Sequence, residues 1–178
     1  MTALLQALRP KQWTKNLLVF AGIVFAQHAS DPALLLRAAA GFVAFSLLAS
    51  SVYIVNDLKD VEADRLHPKK RHRPIASGAL SPVVAWTVVP ILLVIVAIIS
   101  AWLGFGFLLV LAAYLASNVA YSFGLKHQVI LDVFLIASGF VLRAVAGVEL
   151  LKPATARNTN PDAFRNTSRM TWCLSPKL

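Results

Sequence analysis

Long apolar runs alternate with short polar connections along this chain, and the runs have the length of membrane-crossing helices. A spanning helix takes about 20 apolar residues. The run from Ala38 to Asn56 is free of charge and its apolar character starts near Leu34, which predicts a span over Leu34–Val55. From Pro74 to Leu125 there is no Asp, Glu, Lys or Arg, room for two crossings. Gly104 and Gly106 interrupt that stretch and divide it into Val83–Leu103 and Phe105–Ser122. The first run, Asn16–Ala29, is short; extended back to Trp13 it reaches a full crossing, and Asp31-Pro32 ends it. The last, Leu131–Leu151, is long enough but contains Arg143 and opens beside Asp132. The pattern predicts an all-α, polytopic transmembrane helical bundle of about five spans.

Composition agrees. Of 178 residues, 58% are hydrophobic and 14% charged, against roughly a quarter charged in average soluble chains, so a soluble domain is excluded. The mean hydropathy of +0.69 excludes intrinsic disorder over most of the length. A single cysteine, Cys173, excludes an intrachain disulfide and any multi-cysteine metal site. The net charge of +9 suggests a nucleic-acid partner only until the basic residues are located. Arg9, Lys11 and Lys15 precede the first span; Lys59, Arg65, Lys69, Lys70, Arg71 and Arg73 lie between the second and third; Lys126 lies between the fourth and fifth. Basic connections on alternate sides fit the positive-inside rule with a cytoplasmic N-terminus. Arg9, Lys11 and Lys15 before Asn16–Ala26 also resemble a signal peptide, but the later spans favour a polytopic protein. Trp13, Trp86 and Trp102 read as interface anchors, and His28 as an interfacial residue rather than a ligand.

At Lys152 the character changes. Residues 152–178 hold five Lys or Arg, one Asp and three Pro, without helical or strand periodicity. We expect a partial transmembrane domain over residues 1–151 and a polar, disordered C-terminal tail over 152–178. That tail reads as a solvated end or as an aberrant end to a longer membrane protein.

Chemistry concentrates at the end of the second span, where the chain reads Asn56-Asp57-Leu58-Lys59-Asp60-Val61-Glu62-Ala63-Asp64. At about 100° per residue, a continued helix places Asp57, Asp60 and Asp64 within about 60° of one another. Asn56 adjoins that stripe and Glu62 points away. Three carboxylates on one stripe repel, so they call for a shared cation, and hard oxygen ligands suit Mg²⁺. Ionisable groups at membrane depth are costly and functional by default; a solvated acidic helix end paired with Lys59 and Arg65 is the bland alternative. His67-Pro68-Lys69-Lys70-Arg71-His72-Arg73 follows directly. Metal-binding carboxylates beside cations are what a polyanionic phosphate ligand needs; setting topology or touching anionic lipid is the alternative.

A second polar constellation contains Tyr121, Lys126 and Asp132. Arg143 lies 11 residues beyond Asp132, close to three turns, so both face one way. An arginine inside a span should face the bundle interior and find a partner, with Asp132 or Glu149 the candidates.

Asn56-Asp57-x-x-Asp60-x-x-x-Asp64 resembles the NDxxDxxxD motif of the UbiA superfamily of intramembrane prenyltransferases, at the matching end of the second span. Further segments resemble one branch, the bacterial decaprenyl-phosphate phosphoribosyltransferases. They are Arg9-Pro10-Lys11-Gln12-Trp13-Thr14-Lys15-Asn16, His67-Pro68-x-Lys70-Arg71-x-Arg73-Pro74-Ile75-Ala76-Ser77-Gly78, Tyr121-Ser122-x-x-Leu125-Lys126 with Leu131-Asp132-Val133, and Ser138–Ala144. The resemblance runs from about Leu8 to Leu151. Family members are longer, with about nine spans against about five here, and carry a second acidic region among the later helices.

The resemblance implies transfer of 5-phosphoribosyl from phosphoribosyl diphosphate to a polyprenyl (decaprenyl) phosphate, with Mg²⁺ as cofactor, for cell-wall arabinan precursors. It implies a multi-pass protein of the bacterial plasma membrane. Mg²⁺ and diphosphate fall to Asn56, Asp57, Asp60 and Asp64, and phosphate groups to Lys69, Lys70, Arg71 and Arg73. Tyr121, Lys126, Asp132 and Arg143 complete the polar cavity. The lipid phosphate is itself the nucleophile, so no Ser, Cys or His is required. Alternatives are an aromatic prenyltransferase using prenyl diphosphate, a non-enzymatic membrane cation-binding protein, and an inactive fragment. Nucleic acid is not expected as a partner, because no soluble domain presents the basic patch.

Overall fold

The computed structural model describes residues 2–27, 30–122 and 129–152, without the side chains at 2, 121, 122, 129–132 and 135. Among the described residues every regular element is helical. A short helix α1 (Thr2–Leu8) leads into a 3₁₀ segment, Pro10–Phe20, and α2 (Ala21–Phe25). Then come α3 (Pro32–Lys59), α4 (Val61–Leu66), α5 (Pro82–Leu103), α6 (Phe105–Ser122) and α7 (Val129–Glu149). Two of these, α3 and α5, are long and apolar enough to cross a membrane, and α6 has a shorter apolar stretch.

The first apolar run reaches further than its residue count suggests. A 3₁₀ helix rises about 2.0 Å per residue against about 1.5 Å for an α-helix, so Trp13–Phe25 extends roughly 24 Å where an all-α run would give roughly 20 Å. Asp31-Pro32 does more than end that run. Pro32 takes the first helical position of α3 and the Asp31 carboxylate accepts from the Ala33 and Leu34 amides at 2.8 and 3.3 Å, a start for α3 two residues earlier than expected. Ser81 and Pro82 open α5 in the same way.

Helix α3 is the central element. It packs on α5, the 3₁₀ segment, α1, α6 and α7. Its apolar window is 56% buried against 28% for α5, so α5 is peripheral and presents Ile91, Val94, Ile95 and Ile98 outward. One core cluster joins Phe45 and Leu48 of α3 to Phe107, Leu111 and Tyr114 of α6, Ala146 of α7 and Leu150. A second joins Ile54 to Ala7, Ile75, Leu80, Ala85 and Val89 nearer the acidic end. Trp86 and Trp102, both more than half exposed, stand at the two ends of α5 as expected of anchors. Trp13 does not; its Nε1 donates to the Leu8 carbonyl and Ser50 Oγ and ties the N-terminal turn to α3.

The two glycines expected to divide the central apolar stretch have different roles. Gly104, at φ 123°, makes the turn between α5 and α6. Gly106 lies inside α6, where a methyl group would overlap the Glu149 carboxylate. Gly22 and Gly147 let α2 and the 3₁₀ segment touch α7 backbone to backbone, a small-residue contact suited to lipid. At the end of the bundle away from the acidic cluster, Arg37 donates to the carbonyls of Leu103 at 2.9 Å and Leu150 at 3.1 Å. It thereby caps the C-terminal ends of α5 and α7, where backbone partial charge is negative.

Candidate active site

The acidic stripe forms in part. Helix α3 stops at Lys59 and α4 starts at Val61, yet the Asp60 amide still donates to the Asn56 carbonyl and the Asp64 amide to the Asp60 carbonyl. That continuity keeps Asp57 and Asp64, seven residues apart, on one face. Both are buried, at 3% and 1% exposure. Asp60 is half-buried and makes no side-chain hydrogen bond with another described residue. Among the described residues no three acidic or imidazole groups converge on one point.

The shared cation is present, as guanidinium. Arg73 Nη1 donates to Asp57 Oδ1 at 3.1 Å and Asp64 Oδ2 at 2.7 Å. Arg9 Nη2 donates to both Asp57 oxygens, at 2.6 and 2.9 Å. Two arginines and two aspartates thus form a network of zero net charge, with each arginine still about a quarter exposed. The chain aims both cations by local means. Arg9 sits in the left-handed region at φ 51°, between α1 and Pro10, and its guanidinium lies 4.8 Å over the Tyr53 ring. Arg73 is extended because it precedes proline, and buried Pro74 and Ile75 anchor the loop against Ile54.

Of the four basic residues expected to meet phosphate, the fold brings Arg73 alone to the carboxylates. Lys69, Lys70 and Arg71 are exposed on a turn whose Lys69 and Lys70 amides donate to His67 Nδ1. Arg9 was legible only as a topology marker and as part of the N-terminal resemblance. Asn56 lies on the last turns of α3 and is half-buried. Tyr121, Lys126 and Asp132 fall outside the described side chains.

Arg143 faces the interior as expected, and its described partners are neutral. Its Nε donates to Asn16 Oδ1 at 2.7 Å, Nη1 to the Gly139 carbonyl at 2.6 Å, and Nη2 to the Tyr114 hydroxyl at 3.2 Å. Glu149 pairs with Lys152 instead. The rings of Tyr114, Phe45 and Phe140 surround the guanidinium at 5.0 to 5.7 Å. Asn16 relays to Ser46 Oγ on α3 at 3.0 Å. Beside Arg143 lies a cavity of about 190 Å³, lined also by Lys15, Tyr53, Tyr114, Ser117 and Asn118. Sequence reasoning missed Asn16, Lys15 and Tyr114 as site residues. A signal existed: Asn16 heads an apolar run, and Tyr114, Ser117 and Asn118 form a polar i, i+3, i+4 stripe in a charge-free span.

The donor set suits a small hard cation. Asp57 and Asp64 each present an oxygen to one nitrogen of Arg73, so two carboxylates already share a positive centre. Mg²⁺ characteristically takes one or two carboxylates and completes its shell with water and substrate phosphate.

A helical bundle with buried aspartates at one end of a central apolar helix defines an intramembrane site, and family comparison agrees. The UbiA prenyltransferase family matches residues 16–164, and the chain belongs to that family of integral membrane proteins. It is 45% identical over 152 residues to decaprenyl-phosphate phosphoribosyltransferase of Mycolicibacterium smegmatis, covering 82% of this chain and 47% of that protein. Identity to the protein of the same name from Corynebacterium glutamicum is 42%, over 81% of this chain and 45% of the relative. The nodulation protein NoeC of Azorhizobium caulinodans is 34% identical over 94% of this chain and 52% of its own length. The chain therefore spans about half the length of the curated relatives it matches. The fold matches a UbiA homolog from Archaeoglobus fulgidus solved with GPP and Mg²⁺, with a TM-score of 0.68 and 24% identity over 83% of this chain and 53% of that one.

Proposed function

We propose that this chain carries the donor-binding half of a Mg²⁺-dependent phosphoribosyltransferase that uses phosphoribosyl diphosphate and a polyprenyl phosphate. The observation that carries the reading is the buried Asp57–Arg73–Asp64 bridge, reinforced by Arg9, in a chain 45% identical to a phosphoribosyltransferase. In the reaction the lipid phosphate oxygen bonds to C1 of the ribose as the bond from C1 to the diphosphate breaks, and diphosphate leaves. Asp57 and Asp64, with Asp60 and Asn56 on the adjoining turns, are the residues to hold Mg²⁺. That ion would offset charge on the departing diphosphate.

With the carboxylates holding a metal, Arg9 and Arg73 would be left at close range to bind diphosphate oxygens, whose geometry their planar donors match. Lys69, Lys70 and Arg71, on the exposed turn, attract the donor from solution. In this reading Tyr121, Lys126 and Asp132 are further substrate contacts, as the resemblance implies. The product feeds arabinan precursor synthesis. In this reading the acidic end faces the cytoplasmic side of the bacterial plasma membrane, where a soluble phosphorylated donor is available; the basic connections support that orientation.

Calorimetric titration of the purified chain in detergent tests the reading. Phosphoribosyl diphosphate binding that requires Mg²⁺ and is lost in Asp57→Asn is expected. Binding of a prenyl diphosphate in place of the phosphoribosyl donor would overturn it in favour of prenyl transfer.

A further inference from the structure

Arg143 and Arg37 are both held by neutral groups, but only Arg37 has its charge answered. Its carbonyls close the negative ends of two helices. Arg143 has an amide oxygen, a phenol and one carbonyl within its own helix, and no described carboxylate forms an ion pair with it. It is 6% exposed, so a nearly intact positive charge sits in an apolar bundle. Such a charge is costly unless something anionic meets it.

The adjoining cavity is built to receive that anion. Lys15 lines it from the 3₁₀ segment and makes no hydrogen bond or ion pair with another described residue. Tyr53, Tyr114 and Ser117 add hydroxyl groups to the wall. Asn118 lines the same polar side, and the opposite side is apolar: Ile136 and Phe140, 58% and 41% exposed, lead onto the outer face of α7 with Val133, Phe134 and Val141. One end is cationic and hydrogen-bonding; the other opens onto a surface made for acyl or prenyl chains. Tyr53 separates the cavity from the acidic network, since it carries Arg9 on its ring and lines the cavity as well.

We propose that the Arg143–Lys15 cavity is a second anion site, independent of the acidic network, that holds the phosphate monoester of a lipid. Its role as the acceptor site rests on the transferase reading above; the binding itself does not. Arg143 and Lys15 grip the phosphate, the tyrosine hydroxyls orient it, and the chain leaves across Phe140 and Ile136. A metal-free site for the nucleophile beside a metal-dependent site for the donor keeps two polyanions from competing for the same cations.

The test is titration of the full chain in detergent with farnesyl monophosphate, in the presence of EDTA. Farnesol and ribose 5-phosphate serve as tail-only and phosphate-only controls. Farnesyl monophosphate is expected to bind without metal, about tenfold more weakly in Lys15→Gln and in Arg143→Gln, and within about twofold of the unaltered chain in Asp57→Asn. Lys15 is exposed, so its substitution leaves the fold intact if that of Arg143 does not. Binding that needs Mg²⁺ and falls in Asp57→Asn overturns the second site and leaves the transferase reading standing. Equal affinity for farnesol removes the phosphate from the recognition. Ribose 5-phosphate bound in a Lys15-dependent way, with no farnesyl monophosphate binding, assigns the cavity to the sugar donor and overturns the lipid assignment. Lys15-dependent farnesyl monophosphate binding in a chain that ignores phosphoribosyl diphosphate supports the site and removes the transferase reading alone.

Discussion

Arg73 and Arg143 are both drawn into an apolar bundle, and they are accommodated in opposite ways. Arg73 bridges two buried carboxylates and, with Arg9, forms part of a network whose charges cancel. Arg143 is held by an amide, a phenol and a carbonyl, with three aromatic rings around it and its charge unanswered by any described carboxylate. In the proposed function the acidic network is an exchange site, where a metal and a diphosphate would take the place of the existing ion pairs. The Arg143 nest is an addition site, where an anion brings charge that was missing. Exchange would favour a polyanion that arrives with its metal. Addition favours a single negative group of modest size.

The largest expected effect breaks the exchange site. In Asp57→Asn, Arg9 loses its carboxylate and Arg73 keeps only Asp64. Removing one partner of a buried ion pair costs about 3–5 kcal/mol, less here because both arginines are partly exposed. Mg²⁺-dependent affinity for phosphoribosyl diphosphate should fall by a factor on the order of 100, with a lower melting temperature in detergent. Unchanged donor affinity would show that these carboxylates are structural.

Next in size, Gly147→Ala separates the two regions. The added methyl overlaps the Val19 carbonyl, so the 3₁₀ segment must move off α7 and carry Asn16 away from Arg143. Overpacking of this kind costs about 1–3 kcal/mol. Stability in detergent should fall by that amount while Mg²⁺-dependent donor binding stays within about twofold, because Arg9 is anchored on α3 rather than α7. Parallel loss of both properties would mean that nest and network form one cooperative unit.

These experiments turn on pairings that periodicity does not encode. The apolar pattern placed α5 and α6 closely and α3 to within a few residues, because lipid imposes length and polarity on a span. The Asp57–Asp64 face followed from helical geometry alone. Arg9 and Asp57 are 48 residues apart and Asn16 and Arg143 are 127 apart, and a one-dimensional pattern carries no information on such partners. Arg143 was sought among acidic groups on its own helix because charge suggested charge; the fold supplied neutral groups from a segment whose 3₁₀ geometry the residue count concealed. Gly106 was misread as a breaker because its reason, the Glu149 side chain, comes from a different helix.

Asn16→Asp turns the addition site into an exchange site. A carboxylate 2.7 Å from Arg143 Nε answers its charge with no change of shape. Thermal stability should hold or rise, while farnesyl monophosphate affinity falls about tenfold, since the ligand must displace an internal anion. A drop in stability with unchanged affinity would show that the charge of Arg143 is already answered.

The smallest effect lies outside both regions. Lys70 is exposed on its turn, contributes its amide to the His67 contact, and has no side-chain partner among the described residues. Its influence on the donor is long-range and screened beyond about 8 Å at physiological salt. Lys70→Gln should weaken phosphoribosyl diphosphate binding less than about twofold at 150 mM salt and somewhat more at 10 mM. A salt-insensitive tenfold loss would mean that the turn closes on the bound donor. The exchange site would then consist of three cations, with Arg73 the hinge between an inner pair and an outer arm.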